Sequence, residues 1–594
     1  MSYRLKSGNS EIIWRAKANR GKPPLTAGLH RLSASVLLFY LLIFDALVAQ
    51  NLNSIYSPGD WVTYLNTRFI TGISEGNNYV YFGSTNGIIR YHKFNGYWGD
   101  PINKSNGLAD DMITAIAVDK KFNIVWVGTL SGISRIDETF GTVTNISFDQ
   151  LALPFGRVFT SIGIGEKSIW LESAAGIIEI DRIGGYFKGK AMLLPAAIKW
   201  SGKRSALHRV NHPFFMNDGF EYYNSGAIPT IVDHKLREFD VTDDLIDDLG
   251  NYYSGTCGSG AFIGNARVQT LNVSNFGILN NRVTSVEIDD ELNMWIGGTL
   301  SFNTREQYLM SGYTKCPEEY GLALWNRNEN LWSYIETLPE SNFMSPEINV
   351  IVSDGDRVWF GTNSGVVFHD REESIWRSIS AFDGLKNENI TDMALFDSMI
   401  WVGTNSGLQM IDIVTKKVSE PELLGNLRVK VFDIEADGNN LWIGTTSGAY
   451  RVDSEKSVIT HYNGFGQVID PITISGGNVT SIEVFDDVIW LSDDTGISRL
   501  IRNSGKADRL PVHPALFRDS VRGMAANADY LWVATSMGLL RYDRVDRSWR
   551  IYTTEDGLSS NSVNTLYIED DYIWIGTDHG LTRFLWNDPG RADN

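Results

Sequence analysis

The chain has 594 residues, 43% hydrophobic and 21% charged with 56 glycines, a turn-rich globular composition too long for one ordinary core. Its formal charge is −19; residues 1–50 carry seven Lys or Arg against Glu11 and Asp45, which leaves 45 basic and 69 acidic groups, a net of −24, in the remainder. A field of that sign disfavours nucleic acid and anionic membrane surfaces and favours solubility.

Val36 to Phe44 (VLLFYLLIF) is an apolar run behind the basic leader. It is too short to span a bilayer and has the character of a secretory h-region. Residues 1–49 are therefore expected to be a signal peptide cleaved after Ala49, with an uncleaved signal anchor as the alternative. This places the protein in the periplasm or outside the cell. No cysteine follows the apolar run, so a lipid anchor is not expected.

From residue 50 onward the motif W-x-G-T-x-x-G recurs about every 42 residues. Its aromatic is Tyr81, Trp126, Trp170, Tyr253, Trp295, Trp359, Trp401, Trp442, Trp490, Trp532 and Trp574 in successive copies. A degenerate copy at Phe214–Gly219 brings the expected number to twelve. Each copy parses into four strands. Around Trp574 these are Ser562–Ile568, Tyr572–Gly576 and Leu581–Phe584, and the fourth appears in the preceding copy as Trp549–Thr553. The aromatic buries the largest side chain between neighbouring sheets. The Gly ending each T-x-x-G turn suits a positive φ.

The pattern predicts an all-β fold, a β-propeller of about twelve four-stranded blades. Twelve exceeds the usual size of one ring, so two tandem propellers are expected, divided at 50–320 and 321–594. The last copy stops after its third strand, whereas Asp60–Leu65 is a spare fourth strand matching Ser548–Thr553. Pairing the two would close a ring and hide two sheet edges. The N-terminal strand would then reach into the second ring.

The motif resembles the repeats of the two-component regulator propeller family, D-G-L-x-x-N-x-V followed by W-x-G-T-x-x-G-L. Here that pattern is Asp556-Gly557-Leu558-Ser559-Ser560-Asn561-Ser562-Val563 leading to Trp574 and Gly580-Leu581, and Asp383-Gly384-Leu385 leading to Trp401 and Gly407-Leu408. The resemblance implies a periplasmic sensor propeller that binds carbohydrate fragments in hybrid two-component systems. No kinase or DNA-binding pattern appears before Asn594, so a membrane sensor kinase is expected to be a separate partner.

Turns between second and third strands should gather on one face of a ring. They carry Asn86, Asn363, Asn405, Asp493, Asp494, Asp578 and His579, which makes Asn86, Asn363, Asn405, Asp578 and His579 candidates for contacting a carbohydrate or peptide. Ordinary turn chemistry explains the same Asn and Asp residues. The acidic pairs Asp289-Asp290, Asp486-Asp487 and Asp570-Asp571 fall where hairpins should turn, and no metal-binding loop, nucleophile elbow or phosphate loop accompanies them. No catalytic residue, metal or cofactor is expected. Cys257 and Cys316 lie in equivalent turns of neighbouring blades and are disulfide candidates. The reading is an exported recognition or scaffold module, with a propeller-type lyase or glycoside hydrolase as the alternative.

Overall fold

The computed structural model describes residues 56–591 except 208–213, 300–311, 318–320, 337–346, 470–476, 518–520 and shorter stretches. The signal segment and its cleavage point lie outside the described residues. Among those described there are eleven sheets, almost all antiparallel. In chain order the blades are 1 (70–98), 2 (113–147), 3 (159–190), 4 (238–274), 5 (282–336), 6 (348–379), 7 (390–419), 8 (431–462), 9 (481–509), 10 (523–552) and 11 (563–585).

The count is one fewer than the sequence pattern predicts. Phe215–Met216, within the degenerate copy, builds no blade of its own. It pairs parallel with the outer strand Thr270–Ser274 of blade 4, whose sheet grows to seven strands. Blade 3 gains a fifth strand, Lys199–Gly202, which pairs along the free side of its innermost strand.

The innermost strands form two groups. In the first, blade 1 packs against blade 2, blade 2 against blade 3, and blade 4 returns to blade 1. In the second, blades 5 to 11 pack in sequence and blade 11 returns to blade 5. The architecture is thus a closed seven-bladed ring and a four-bladed one whose innermost strands pack from blade 4 through blades 1 and 2 to blade 3. The expected division between 320 and 321 runs through blade 5, because Asn293–Thr299 and Gly321–Asn326 are hydrogen-bonded neighbours. The insertion after Thr299 leaves and re-enters the same sheet, which is why it reads in sequence as a break.

Trp61–Tyr64 pairs with Gly580–Leu585, register Trp61↔Phe584 and Tyr64↔Leu581, and completes blade 11. The first ring is therefore inserted between the closing strand and the rest of the second ring. Trp61 stacks on Phe584 with centroids 3.8 Å apart. The outer edge of the closing strand is capped from blade 1's connecting loop. Asn103 Nδ2 donates to Thr63 O (2.7 Å) and Asn106 Nδ2 to Trp61 O (3.1 Å). Buried Arg591 pairs with Asp60 at 2.9 Å and locks the far end.

Nine of the eleven innermost strands carry a bulge or register shift at the same point, for example Ile390/Asp392 and Val431/Asp433. The shared irregularity shows that the strands run in one direction at one register. Side chains there clip blade to blade: Thr284 Oγ1 donates to Ile348 O, Asn349 Nδ2 to Ile390 O (2.7 Å), Thr391 Oγ1 to Val431 O (2.8 Å) and Asn564 Nδ2 to Val283 O (3.0 Å). The motif tryptophans are buried between sheets, Trp126, Trp359, Trp442, Trp490, Trp532 and Trp574 almost completely, with Trp170, Trp295 and Trp401 close behind.

The two motif glycines have different reasons. Gly580 sits at φ +112°, the left-handed turn conformation the pattern predicts. Gly403, in W-x-G, has ordinary φ but no room: a Cβ there would lie 2.6 Å from Val431 Cγ1 of the next blade. The D-G-L signature is a capped turn. Asp383 accepts the Ser380 N–H (2.9 Å), Gly384 forms the left-handed cap, and Leu385 is buried beneath.

Candidate functional site

The predicted turn residues of the second ring share one face, because each is tied to the start of its own blade. Asn405 Nδ2 donates to Asn389 Oδ1 (2.9 Å), Asn363 bonds Glu347, and Asn478 Nδ2 donates to Asp494 (3.0 Å). The Asp578 N–H donates to Ser562 O (3.0 Å). Every pair is sixteen residues apart. The polar rim is therefore ordered by internal hydrogen bonds, and Asn405 remains exposed on it.

Burial raises the Asp578 carboxyl, but hydrogen bonds from Ser562 and Asn564 and the charges of Arg282 and Arg522 outweigh it and hold the group below the usual carboxylate range. Asp493 is turned inward and paired with Arg509. Asn86 is not part of this rim. It lies in the first ring, 2% exposed, with Nδ2 donating to Asn66 O at 2.7 Å. The two rings place equivalent turns in unlike surroundings, and a repeat motif carries no sign of which ring it joins.

His579 lies where the rings meet. Its Nε2 is 3.3 Å from Asp111 Oδ2 of the first ring. Asp111 is aimed by a 2.6 Å hydrogen bond from Lys104 N to its other oxygen. A cavity of about 80 Å³ opens beside the pair. A chain of hydroxyls runs alongside: Ser105 to Thr63 (3.0 Å), Thr63 to Thr582 (2.9 Å), Thr582 to Ser559 (2.9 Å) and Ser559 to Thr577 (3.0 Å).

The acidic pair Asp289-Asp290 has structural work. Buried Asp289 accepts Trp295 Nε1–H at 2.7 Å and pairs with Arg371, which also binds Asp290. Asp571 accepts from Asn587. Among the described residues, no group of three or more His, Cys, Asp or Glu is placed to hold a metal ion.

Sequence reasoning missed the carboxyls on the innermost strands. Asp392 accepts Ile434 N–H and Asp433 accepts Ile482 N–H, both at 2.5 Å, while Glu483 accepts Ala526 N–H at 2.9 Å. Each thus clips its blade to the next. Burial pushes all three upward; the neighbouring Asp433 charge adds to the rise of Asp392, and Glu435 to that of Glu483. Burial and the charges of Asp433 and Asp437 raise Glu435 to about 8, and burial raises Glu287 to about 7. The available signal was an acid on the inner strand just past the bulge, as in Phe432-Asp433-Ile434-Glu435.

These groups fix a pH dependence. A free glutamate titrates near 4.3, so between that pH and about 8 the folded state holds a proton on Glu435 that the unfolded chain has lost. Stability falls as pH rises through that window. Glu435→Gln removes the penalty and is expected to stabilise by about 1–2 kcal/mol at pH 8.5 and by little at pH 4. Urea unfolding at the two pH values reads the difference; an equal effect at both would contradict the assignment.

Fold and site together define a β-propeller protein of two unequal rings. Residues 557–579 match the family described as "Two component regulator propeller". A histidine kinase, "Histidine kinase P4" of Formosa agariphila, is 24% identical over 212 residues, covering 33% of this chain and 15% of that protein. PorZ, a surface component of the type-IX secretion system of Porphyromonas gingivalis, is similar in structure with a TM-score of 0.52 at 14% identity, covering 89% of this chain and 87% of that one. The extracellular domain of a hybrid two component system from B. thetaiotaomicron is similar with a TM-score of 0.40 at 13% identity, covering 87% and 70%. Among the described residues, no helix is long and apolar enough to cross a membrane.

Proposed function

We propose that the protein is an exported, non-catalytic recognition and scaffold propeller, and that the turn face of its seven-bladed ring meets a carbohydrate or peptide ligand or a separate membrane sensor kinase. The polar rim carries this reading. Asn363, Asn405, Asp494 and Asp578 are held on one face by hydrogen bonds to their own blades, so little side-chain entropy is lost when a partner lands. The partial likeness to a histidine kinase supports the sensory direction.

A thermal-shift screen of the exported chain against oligosaccharides and peptides tests it, since a ligand specific to the folded state must raise the melting temperature. Asn405→Ala with Asp578→Ala is expected to remove the shift given by any binder while leaving the unliganded melting temperature within a degree or two. Retention of the full shift would take the ligand off this face.

The second reading, a propeller lyase or glycoside hydrolase, draws on His579 beside Asp111. It requires turnover that His579→Ala abolishes. Turnover indifferent to that change would leave this pair without a catalytic role.

A further inference from the structure

We propose that a cavity in the four-bladed ring, between blades 3 and 4, binds a small organic cation: a primary amine with a compact apolar body, its ammonium group paired with Asp243. The cavity has a volume of about 400 Å³, within the range of small-molecule sites. Its walls come from several innermost strands and from a strap. Leu207 and Ile228 supply apolar surface, with the fully buried Ile113, Phe159 and Val241 packed behind, and Tyr313 of the strap completes the lining.

The strap is firmly held. Tyr313 Oη donates to Thr242 O (3.2 Å), Thr314 N and Lys315 N donate to Asp240 (2.9 and 3.1 Å), and Cys316 is bonded to Cys257. The site is thus preformed. Asp243 is the carboxyl at its wall, 7% exposed, accepting N–H bonds from Ile73 (2.7 Å) and Asp244 (3.0 Å). These bonds use two of its roughly four lone-pair directions.

The charges that reach Asp243 are acidic. Burial and the charge of Asp244 raise it to about 7, against the pull of its two N–H bonds. Tyr313 is raised by burial and by the charges of Asp243 and Asp240. Lys203 also lines the cavity but is exposed to solvent. A buried carboxyl among apolar walls and further acids favours an incoming cation over an anion or a neutral guest. Asp392 and Asp433 make similar blade clips, so the clip alone does not call for a ligand; the adjoining cavity does.

Calorimetry of the full chain with phenethylamine and n-hexylamine, against phenethyl alcohol and 1-hexanol, tests the proposal. The amines are expected to bind at least tenfold more tightly than the alcohols, more tightly at pH 8 than at pH 6, and with proton release at pH 6.5 measured in two buffers of different ionisation enthalpy. Asp243→Asn, which keeps an oxygen for Ile73 N–H, should erase the preference. If that variant does not fold, Ile228→Trp fills the cavity without touching the clip and should abolish amine binding, whereas the rim variant Asn405→Ala should not. No amine heat, equal binding of amine and alcohol, or binding indifferent to both cavity variants would overturn it.

Discussion

Trp61→Ala is expected to destabilise the protein by about 3–5 kcal/mol, the range for a buried tryptophan truncated in a packed core. Trp61 is 3% exposed, stacks on Phe584 and lies within 6.0 Å of Tyr552, with Tyr56 edge-on at 5.6 Å. Its backbone carries the pairing that completes blade 11. The loss therefore combines a cavity with a weakened closure. Because Asn103 and Asn106 grip the same strand from the first ring, the effect should spread to both rings. Hydrogen exchange should quicken in Gly580–Leu585 and around Lys104–Asn106 while blades 7 and 8, across the ring, change little. Destabilisation below 1 kcal/mol, or faster exchange confined to residues 56–64, would contradict this.

The second large effect belongs to the disulfide. Cys257 follows the second strand of blade 4 and Cys316 precedes the third strand of blade 5, with Cα atoms 4.9 Å apart. The bond joins the first ring to the second. Its ends are 59 residues apart in sequence, and closing such a loop in the unfolded chain is worth roughly 4 kcal/mol on the chain-entropy account. Cys257→Ser with Cys316→Ser is expected to lower stability by about 3–4 kcal/mol, with blades 1 to 4 opening before the second ring. The larger ring is closed by its own blades and the first is the smaller core. Urea unfolding followed by exchange mass spectrometry reads the order. Simultaneous unfolding with unchanged midpoint would refute the bridging role.

The sequence carried the blade architecture well, for a physical reason. Each blade needs one large buried aromatic, one glycine where the neighbour's inner strand approaches, and one left-handed turn, so Trp401, Gly403 and Gly407 recur together. The closing strand was legible because Asp60–Leu65 has the composition of an outer strand with no blade to complete, and the structure pairs it with Gly580–Leu585. Strand limits were close: Ser562–Ile568 was expected and Val563–Glu569 is found.

The rings were harder. Which blades share an axis depends on packing between innermost strands, which the repeat leaves unstated. Phe214–Gly219 has the spacing of a copy but not its strands, and its residues join a neighbour's sheet instead. The inner-strand carboxyls were hidden because alternation reads an acid on a strand as facing solvent. On the innermost strand the bulge turns that position toward the next blade, where Asp392 and Asp433 meet main-chain N–H groups. Asn405 and Asp578 are hydrogen-bonded within their own blades, whereas Asn86 donates to Asn66 O in the first ring.

The central claim is that the chain closes its seven-bladed ring with its own N-terminal strand and carries the four-bladed ring as an insertion. Thr63 and Thr582 test it most directly, being buried, paired in register and 2.9 Å apart between Oγ1 atoms. Thr63→Cys with Thr582→Cys should form a disulfide on mild oxidation, found by peptide mass spectrometry as a link between the two ends of the chain, in monomeric protein of unchanged fold. The offset pair Thr63→Cys with Phe584→Cys should not. Failure of the in-register pair to link, or equal linking of the offset pair, would contradict the closure.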